Sequence, residues 1–142
     1  MKTALDTNIL SALWLDEPTA PSVARALEAA RQQGELILSP AVYAESLAHP
    51  FYSEPEIMEF LKLAEISVDF ELSKEVWTEA GRRYSIYANR KRSSSSQVGP
   101  RRILADFVIG AHALLQADRL MTLDATFYRR HFLELTLYPL GE

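Results

Sequence analysis

The stretch Lys2-Thr3-Ala4-Leu5-Asp6-Thr7-Asn8-Ile9-Leu10 decides how this chain is read. Lys2–Leu5 is short and apolar, as a buried strand requires, and the turn-forming Asp6-Thr7-Asn8 breaks it. Asp6 or Thr7 is placed to cap a helix that starts near Ile9. The chain therefore opens as a strand, an acid and then a helix. The acid is out of character, because a buried charge without a partner costs several kcal/mol or takes up a proton.

The same alternation continues outward. Pro18 and Pro21 end the first helix and open a second over residues 22–33, where Val23, Ala26, Leu27 and Ala30 recur at helical spacing and Gly34 supplies the stop. Glu35–Leu38 reads as a strand. Ser39 caps the next helix with Pro40 at its first position, running to about Ala48 before His49-Pro50 breaks it. Glu54–Ala64 is a helix with Ile57, Phe60, Leu61 and Ala64 on one face, and Ile66–Phe70 is a third strand. Leu72–Ala88 is a long helix, and the stretch 91–100, with four consecutive serines, reads as a loop. Arg102–Ala117 is apolar nearly all round, which marks a central buried helix. Leu120–Leu123 and Leu135–Tyr138 are the last two strands, joined by a short helix at Ala125–His131. Spacing assigns Trp14, Phe60, Trp77 and Tyr84 to the core, and His49, His112 and His131 to structural or surface positions. This pattern predicts a single α/β domain over residues 1–142, with a parallel sheet of about five strands covered on both faces.

Three further acids share the oddity of Asp6. Glu45 follows Val42-Tyr43-Ala44, Asp106 lies inside Ile103-Leu104-Ala105-Asp106-Phe107-Val108-Ile109, and Asp124 closes Leu120-Met121-Thr122-Leu123-Asp124. Asp6 and Asp124 are expected at C-terminal strand ends, where open parallel sheets bind ligands. Glu45 and Asp106 sit on helices able to lean over that edge. Each acid has a plainer reading. Asp6 and Asp124 suit helix caps, Glu45 a half-exposed helical position, and Asp106 the favourable N-terminal turn of a helix. Gathered together, four carboxylates repel one another unless cations hold them. Hard, oxygen-binding Mg²⁺ or Mn²⁺ is then the expected ion, since the chain has no cysteine and only three histidines. Such an ion activates water and offsets charge on a phosphoryl oxygen. Thr7 and Asn8 flank Asp6, and Thr122 precedes Asp124 by two, so on a strand both would face one way.

Charge points to phosphate as well. The net charge is −4, yet Arg82, Arg83, Arg90, Lys91, Arg92, Arg101 and Arg102 form a +7 segment without a single acid, leaving −11 elsewhere. Such a patch reads either as an RNA-backbone contact or as a solvated helix end and loop. No signal peptide is expected, and the run 103–117 is too short to span a bilayer, so a cytoplasmic protein is expected.

The motifs resemble those of PIN-domain nucleases. Leu5-Asp6-Thr7-Asn8-Ile9-Leu10 looks like the opening motif of that family. Ser39-Pro40-Ala41-Val42-Tyr43-Ala44-Glu45 resembles the second, and Asp106-Phe107-Val108-Ile109-Gly110-Ala111-His112-Ala113-Leu114 the third. Thr122-Leu123-Asp124-Ala125-Thr126-Phe127-Tyr128, with the later Phe132, resembles the last. The resemblance implies a three-layer α/β/α fold and a Mg²⁺- or Mn²⁺-dependent endoribonuclease. It is similar above all to the VapC-type toxins of toxin–antitoxin pairs, which implies an antitoxin partner and a homodimer. By resemblance Asp6, Glu45, Asp106 and Asp124 are metal ligands, supported by Thr7, Asn8 and Thr122. Leu123 departs from the arginine many relatives carry there.

Two other classes compete. One is a non-catalytic RNA-binding or partner-binding module on the same fold. The other is an aspartyl-nucleophile phosphotransferase, which would want a second acid at position 8, where Asn8 stands.

Overall fold

The computed structural model describes residues 1–93 and 103–140, with the side chains of residues 92 and 93 left aside. The described elements are β1 (Thr3–Leu5), α1 (Thr7–Trp14), α2 (Ala20–Gln33), β2 (Leu36–Leu38), α3 (Pro40–Ser46), α4 (Glu54–Leu63), β3 (Ile66–Val68), α5 (Lys74–Ser93), α6 (Leu104–Gln116), β4 (Arg119–Met121) and α7 (Ala125–His131). They form a three-layer α/β/α domain. The strands make one parallel sheet in the order β3-β2-β1-β4. All three residues of β1 and of β2 are buried, as central strands covered on both faces must be. Edge strand β3 buries only Ile66 fully.

Local chemistry explains most boundaries. Ser39 caps α3 by accepting from the Val42 amide, with Pro40 at the first helical position. Ser53 and Glu56 form a capping box at the start of α4. Gly34 ends α2 at a φ of 157°, and a Cβ there would run into the Met1 backbone.

Four expectations need correction. The fifth strand, Leu135–Tyr138, is reduced to a single bridge between Leu120 and Leu137, so among the described residues the sheet has four strands. Helix α5 continues to Ser93, into the stretch read as loop, while residues 94–102 lie outside the described residues. Trp77 is not core but 53% exposed. Thr122 and Asp124 do not share a strand face, because β4 stops at Met121.

The order of strands positions the site. The chain runs from β1 to β2 to β3 on one side, then returns to place β4 against the other side of β1. The crevice between the C-terminal ends of β1 and β4 is thus the point where the direction of winding reverses. No described helix is long and apolar enough to cross a membrane.

Candidate functional site

Asp6 follows β1 directly and is buried at that crevice, its amide bonded to the Met121 carbonyl at 3.0 Å. It occupies the cap position of α1, and its Oδ1 accepts from the Thr7 amide at 2.8 Å. Its other oxygen has further work. Oδ2 accepts from the Thr122 hydroxyl at 2.7 Å and from the Asn8 amide nitrogen at 3.3 Å. The cap reading and the site reading therefore hold together. Burial raises the Asp6 carboxyl from 3.8 to about 6, against the hydrogen bonds of Thr122, Thr7 and Tyr128, which lower it, while the charge of Asp106 adds to the rise.

Thr7 faces the other way from its amide. Its hydroxyl donates to Glu45 Oε1 at 2.6 Å, fastening half-buried Glu45 on α3 to the start of α1. Asn8 works as a clamp. Its amide nitrogen also reaches Thr122 Oγ1 at 3.4 Å, and its oxygen accepts from the Leu123 amide at 3.1 Å. Leu123 thus takes part through its backbone. Thr122 Oγ1 accepts from the Asp124 amide at 2.9 Å, a side-chain turn two residues long that aims the chain into α7. Asp124 sits at the cap position of α7 but makes no capping side-chain bond. Asp106 lies in the first turn of α6, half-buried.

Tyr128 is the site residue that the spacing alone passed over. It is 1% exposed, and its hydroxyl is pushed well above the usual tyrosine range by burial and then by the charges of Asp6, Asp106 and Asp124. Three of the four acids therefore act on one phenol. The signal was present in Phe127-Tyr128, but nothing in helical spacing says that the tyrosine turns its hydroxyl toward the acids rather than to solvent.

The donors are of the right kind for a hard divalent ion: carboxylate oxygens at a strand end, with the charge of Asp106 adding to the rise at Asp6. Among the described residues, however, no three His, Asp or Glu side chains are gathered closely enough to hold an ion as they stand.

The basic residues divide. Arg83 is largely buried in a structural network, bonded to Glu79, Glu134 and the His131 carbonyl and lying 4.6 Å over the Phe132 ring. Arg82 pairs with Glu79 and stays exposed. Arg90 is exposed, and Lys91 lies 6.0 Å over the Tyr87 ring. The Arg92 side chain, Arg101 and Arg102 fall outside the described residues. His112 is buried and bonds Asp69 at 3.1 Å, which also receives Gln116, a strut between α6 and the end of β3.

Comparisons with known proteins agree with this architecture. A chain of VapBC2 from Rickettsia felis, solved bound to a DNA fragment from their promoter, is 18% identical, with a TM-score of 0.70 over 97% of this chain and 98% of the other. VapBC-1 from nontypeable Haemophilus influenzae is 21% identical, with a TM-score of 0.66 over 100% of both chains. FitAcB from Neisseria gonorrhoeae is 17% identical, with a TM-score of 0.61 over 96% of each. At these identities the likeness is one of fold. Comparison with curated proteins gives no significant match. The family model described as PIN domain matches residues 3–133, nearly the whole chain, and the protein therefore belongs to the PIN-domain family.

Proposed function

We propose that this protein is a Mg²⁺- or Mn²⁺-dependent endoribonuclease, the toxin of a toxin–antitoxin pair. The observation that carries the reading is Asp6: a buried carboxylate at the reversal point of a parallel sheet, beside the charge of Asp106 and held by neutral donors. Asp6, Asp106 and Glu45 would hold the ion, with Asp124 completing the set. When bound, the ion supplies activated water and offsets charge on the phosphoryl group. The chain's own part is orientation. Thr122, Asn8 and the Thr7 amide fix the Asp6 oxygens, and the Thr7 hydroxyl fixes Glu45. Arg82, Arg90 and Lys91, with Arg92, Arg101 and Arg102, are proposed to contact the RNA backbone, a salt-sensitive interaction. Arg83 is committed to its own acids.

An antitoxin partner would need an apolar surface to cover. A groove of about 630 Å³ between α1 and α4 is lined by Leu13, Trp14, Tyr52, Phe60 and Leu63, with Glu56 and Glu59 among its walls. Leu63 is 75% exposed and Phe51 69%, more apolar surface than a monomer needs. The acidic walls suit a partner segment that pairs aliphatic side chains with basic ones. Two-fold self-association and a cytoplasmic location belong to the same proposal.

The test is cleavage of total cellular RNA by the purified protein in Mg²⁺, Mn²⁺ or EDTA, beside Asp6→Ala and Asp106→Asn. Discrete fragments that require metal and vanish in both variants are expected. Cleavage that persists in EDTA, or in a folded double variant, would overturn the proposal. The loose spacing of the acids is the one observation favouring a non-catalytic RNA-binding or partner-binding module. That second reading requires that Mn²⁺ bring no rise in activity.

A further inference from the structure

Helix α7 buries one face and leaves the other bare. Phe127 and Tyr128 lie in the core, while Thr126, Arg129 and Arg130 are exposed. Both ends of the helix are held. Thr122 Oγ1 accepts from the Asp124 amide at its start, and Arg83 donates to the His131 carbonyl at its end at 2.8 Å. Arg129 and Arg130 therefore stand on a braced support. Among the described residues neither makes an ion pair or a hydrogen bond. The acid that follows them, Glu134, is taken by Arg83 at 2.7 Å.

The two cations are close to the acids. The helical rise puts them only about 8–9 Å along the axis from Asp124. Side chains on a helix tilt toward its N-terminus, so both lean back toward that acid. The crevice needs such a counterweight, because Asp6, Glu45, Asp106 and Asp124 repel any polyanion that enters it. Arg83 cannot supply it, being committed to Glu79 and Glu134. From this placement we infer that Arg129 and Arg130 grip RNA phosphates that flank the one presented to the acids. The bond from Arg83 to His131 also draws α5 alongside, so exposed Arg82 continues the basic strip outward. This inference rests on the ribonuclease reading proposed above.

The test is fluorescence anisotropy of a labelled single-stranded oligouridylate in EDTA, titrated across a range of salt. The proteins are wild type, Arg129→Ala/Arg130→Ala, Arg129→Lys/Arg130→Lys and Arg25→Ala. Arg25 is an exposed cation on α2, which packs on α1, and serves as the control for net charge. The alanine pair is expected to weaken binding. Its slope of log affinity against log salt should be shallower by about 1.4, since each single-stranded phosphate contact contributes roughly 0.7. The lysine pair should keep most of that slope, because lysine also binds phosphate as a point charge. Arg25→Ala should bind as wild type does. A lowered melting temperature with RNA binding intact would mean that the arginines only complement the helix dipole, and would overturn the inference. An equal loss per charge in Arg25→Ala would overturn it too, as attraction by net charge alone. Cleavage in Mn²⁺ separates the two readings. An alanine pair that binds and cuts like wild type removes the phosphate grip and leaves the nuclease. A wild type that binds RNA through these arginines but cuts none leaves the grip and removes the nuclease.

Discussion

The Thr7 hydroxyl donates to Glu45 Oε1 at 2.6 Å, a bond that ties the first turn of α1 to α3 across 38 positions of chain. Thr7 thereby serves two acids, since its amide is bonded to Asp6. Replacing it with valine keeps the shape and the amide but removes the hydroxyl. Thr7→Val is expected to lower RNA cleavage about tenfold or more, as loss of a bond behind a metal ligand does. Thr7→Ser should retain most of the activity. Single-turnover cleavage rates for both variants, with circular dichroism as the fold control, check this. Equal rates for Thr7→Val and wild type would show that the tether to Glu45 is idle.

Asp6 makes the metal-free protein sensitive to pH. Its carboxyl is raised from 3.8 to about 6, chiefly by burial. A carboxyl that binds its proton more tightly in the folded than in the unfolded chain favours folding at low pH. That contribution is complete below 3.8 and is lost as pH rises through about 6. Its size is on the order of 3 kcal/mol, at roughly 1.4 kcal/mol for each tenfold gain in proton affinity. Buried His112 pulls the other way, because burial lowers its value and its protonation in the unfolded chain disfavours folding below pH 6.5. The difference between Asp6→Asn and wild type isolates the first effect. In EDTA, urea unfolding should find Asp6→Asn the more stable at pH 8, with the gap closing toward pH 4. A gap that stays constant across this range would refute the raised value.

Much of this was legible where local chemistry acts alone. Ser39-Pro40 announces α3 because cap and first-turn proline are satisfied within four residues, and Ala125–His131 forms the short helix expected there. Asp6 and Asp124 follow β1 and β4, and Glu45 and Asp106 ride on helices, as the alternation implied. What was not legible depends on distant parts of the chain. Leu135–Tyr138 has a strand's composition, but it finds only a bridge to Leu120. Trp77 has core spacing, but its face of α5 is left largely uncovered by the described residues. Arg83 looks like its neighbour Arg82 until Glu134, 51 residues on, comes beside it. Where the Tyr128 hydroxyl ends up, among the charges of Asp6, Asp106 and Asp124 rather than in solvent, is settled by the fold.

Gly110 is expected to be irreplaceable. It lies one turn beyond Asp106 on α6, and a Cβ there would strike three carbons of the Phe132 ring. That ring is 1% exposed and held between Arg83 and Tyr128, so it has little room to retreat. Overpacking of this kind costs about 1–3 kcal/mol, which outweighs the gain of under about 1 kcal/mol that alanine brings to a helix interior. Gly110→Ala should therefore destabilise the protein in urea unfolding. A shift toward greater stability would mean that Phe132 moves freely. Gly81 on α5 is the internal control, because a Cβ there meets nothing, and Gly81→Ala should stabilise.

Arg83 and Arg82 are adjacent, and the structure assigns them opposite fates. The Arg83 side chain is 14% exposed, bonds Glu79 and Glu134 at 2.7 Å each, donates to the His131 carbonyl at 2.8 Å and covers Phe132. Removing it strands the His131 carbonyl and Glu134 and leaves Glu79 with Arg82 alone. Hydrogen bonds to charged groups are each worth about 1.5–3 kcal/mol, discounted here because Glu134 is exposed. Arg83→Ala is expected to destabilise the fold by about 2 kcal/mol. Arg82 is 61% exposed and pairs with Glu79, so Arg82→Ala should change stability by less than about 0.5 kcal/mol. RNA affinity should reverse the ranking: Arg82→Ala weakens binding and flattens its salt dependence, while Arg83→Ala, measured well below its melting temperature, does not. Urea unfolding and fluorescence-anisotropy titrations at two salt concentrations separate the two residues. A salt slope lowered by Arg83→Ala but untouched by Arg82→Ala would mean that the buried arginine, not the exposed one, reaches the phosphates.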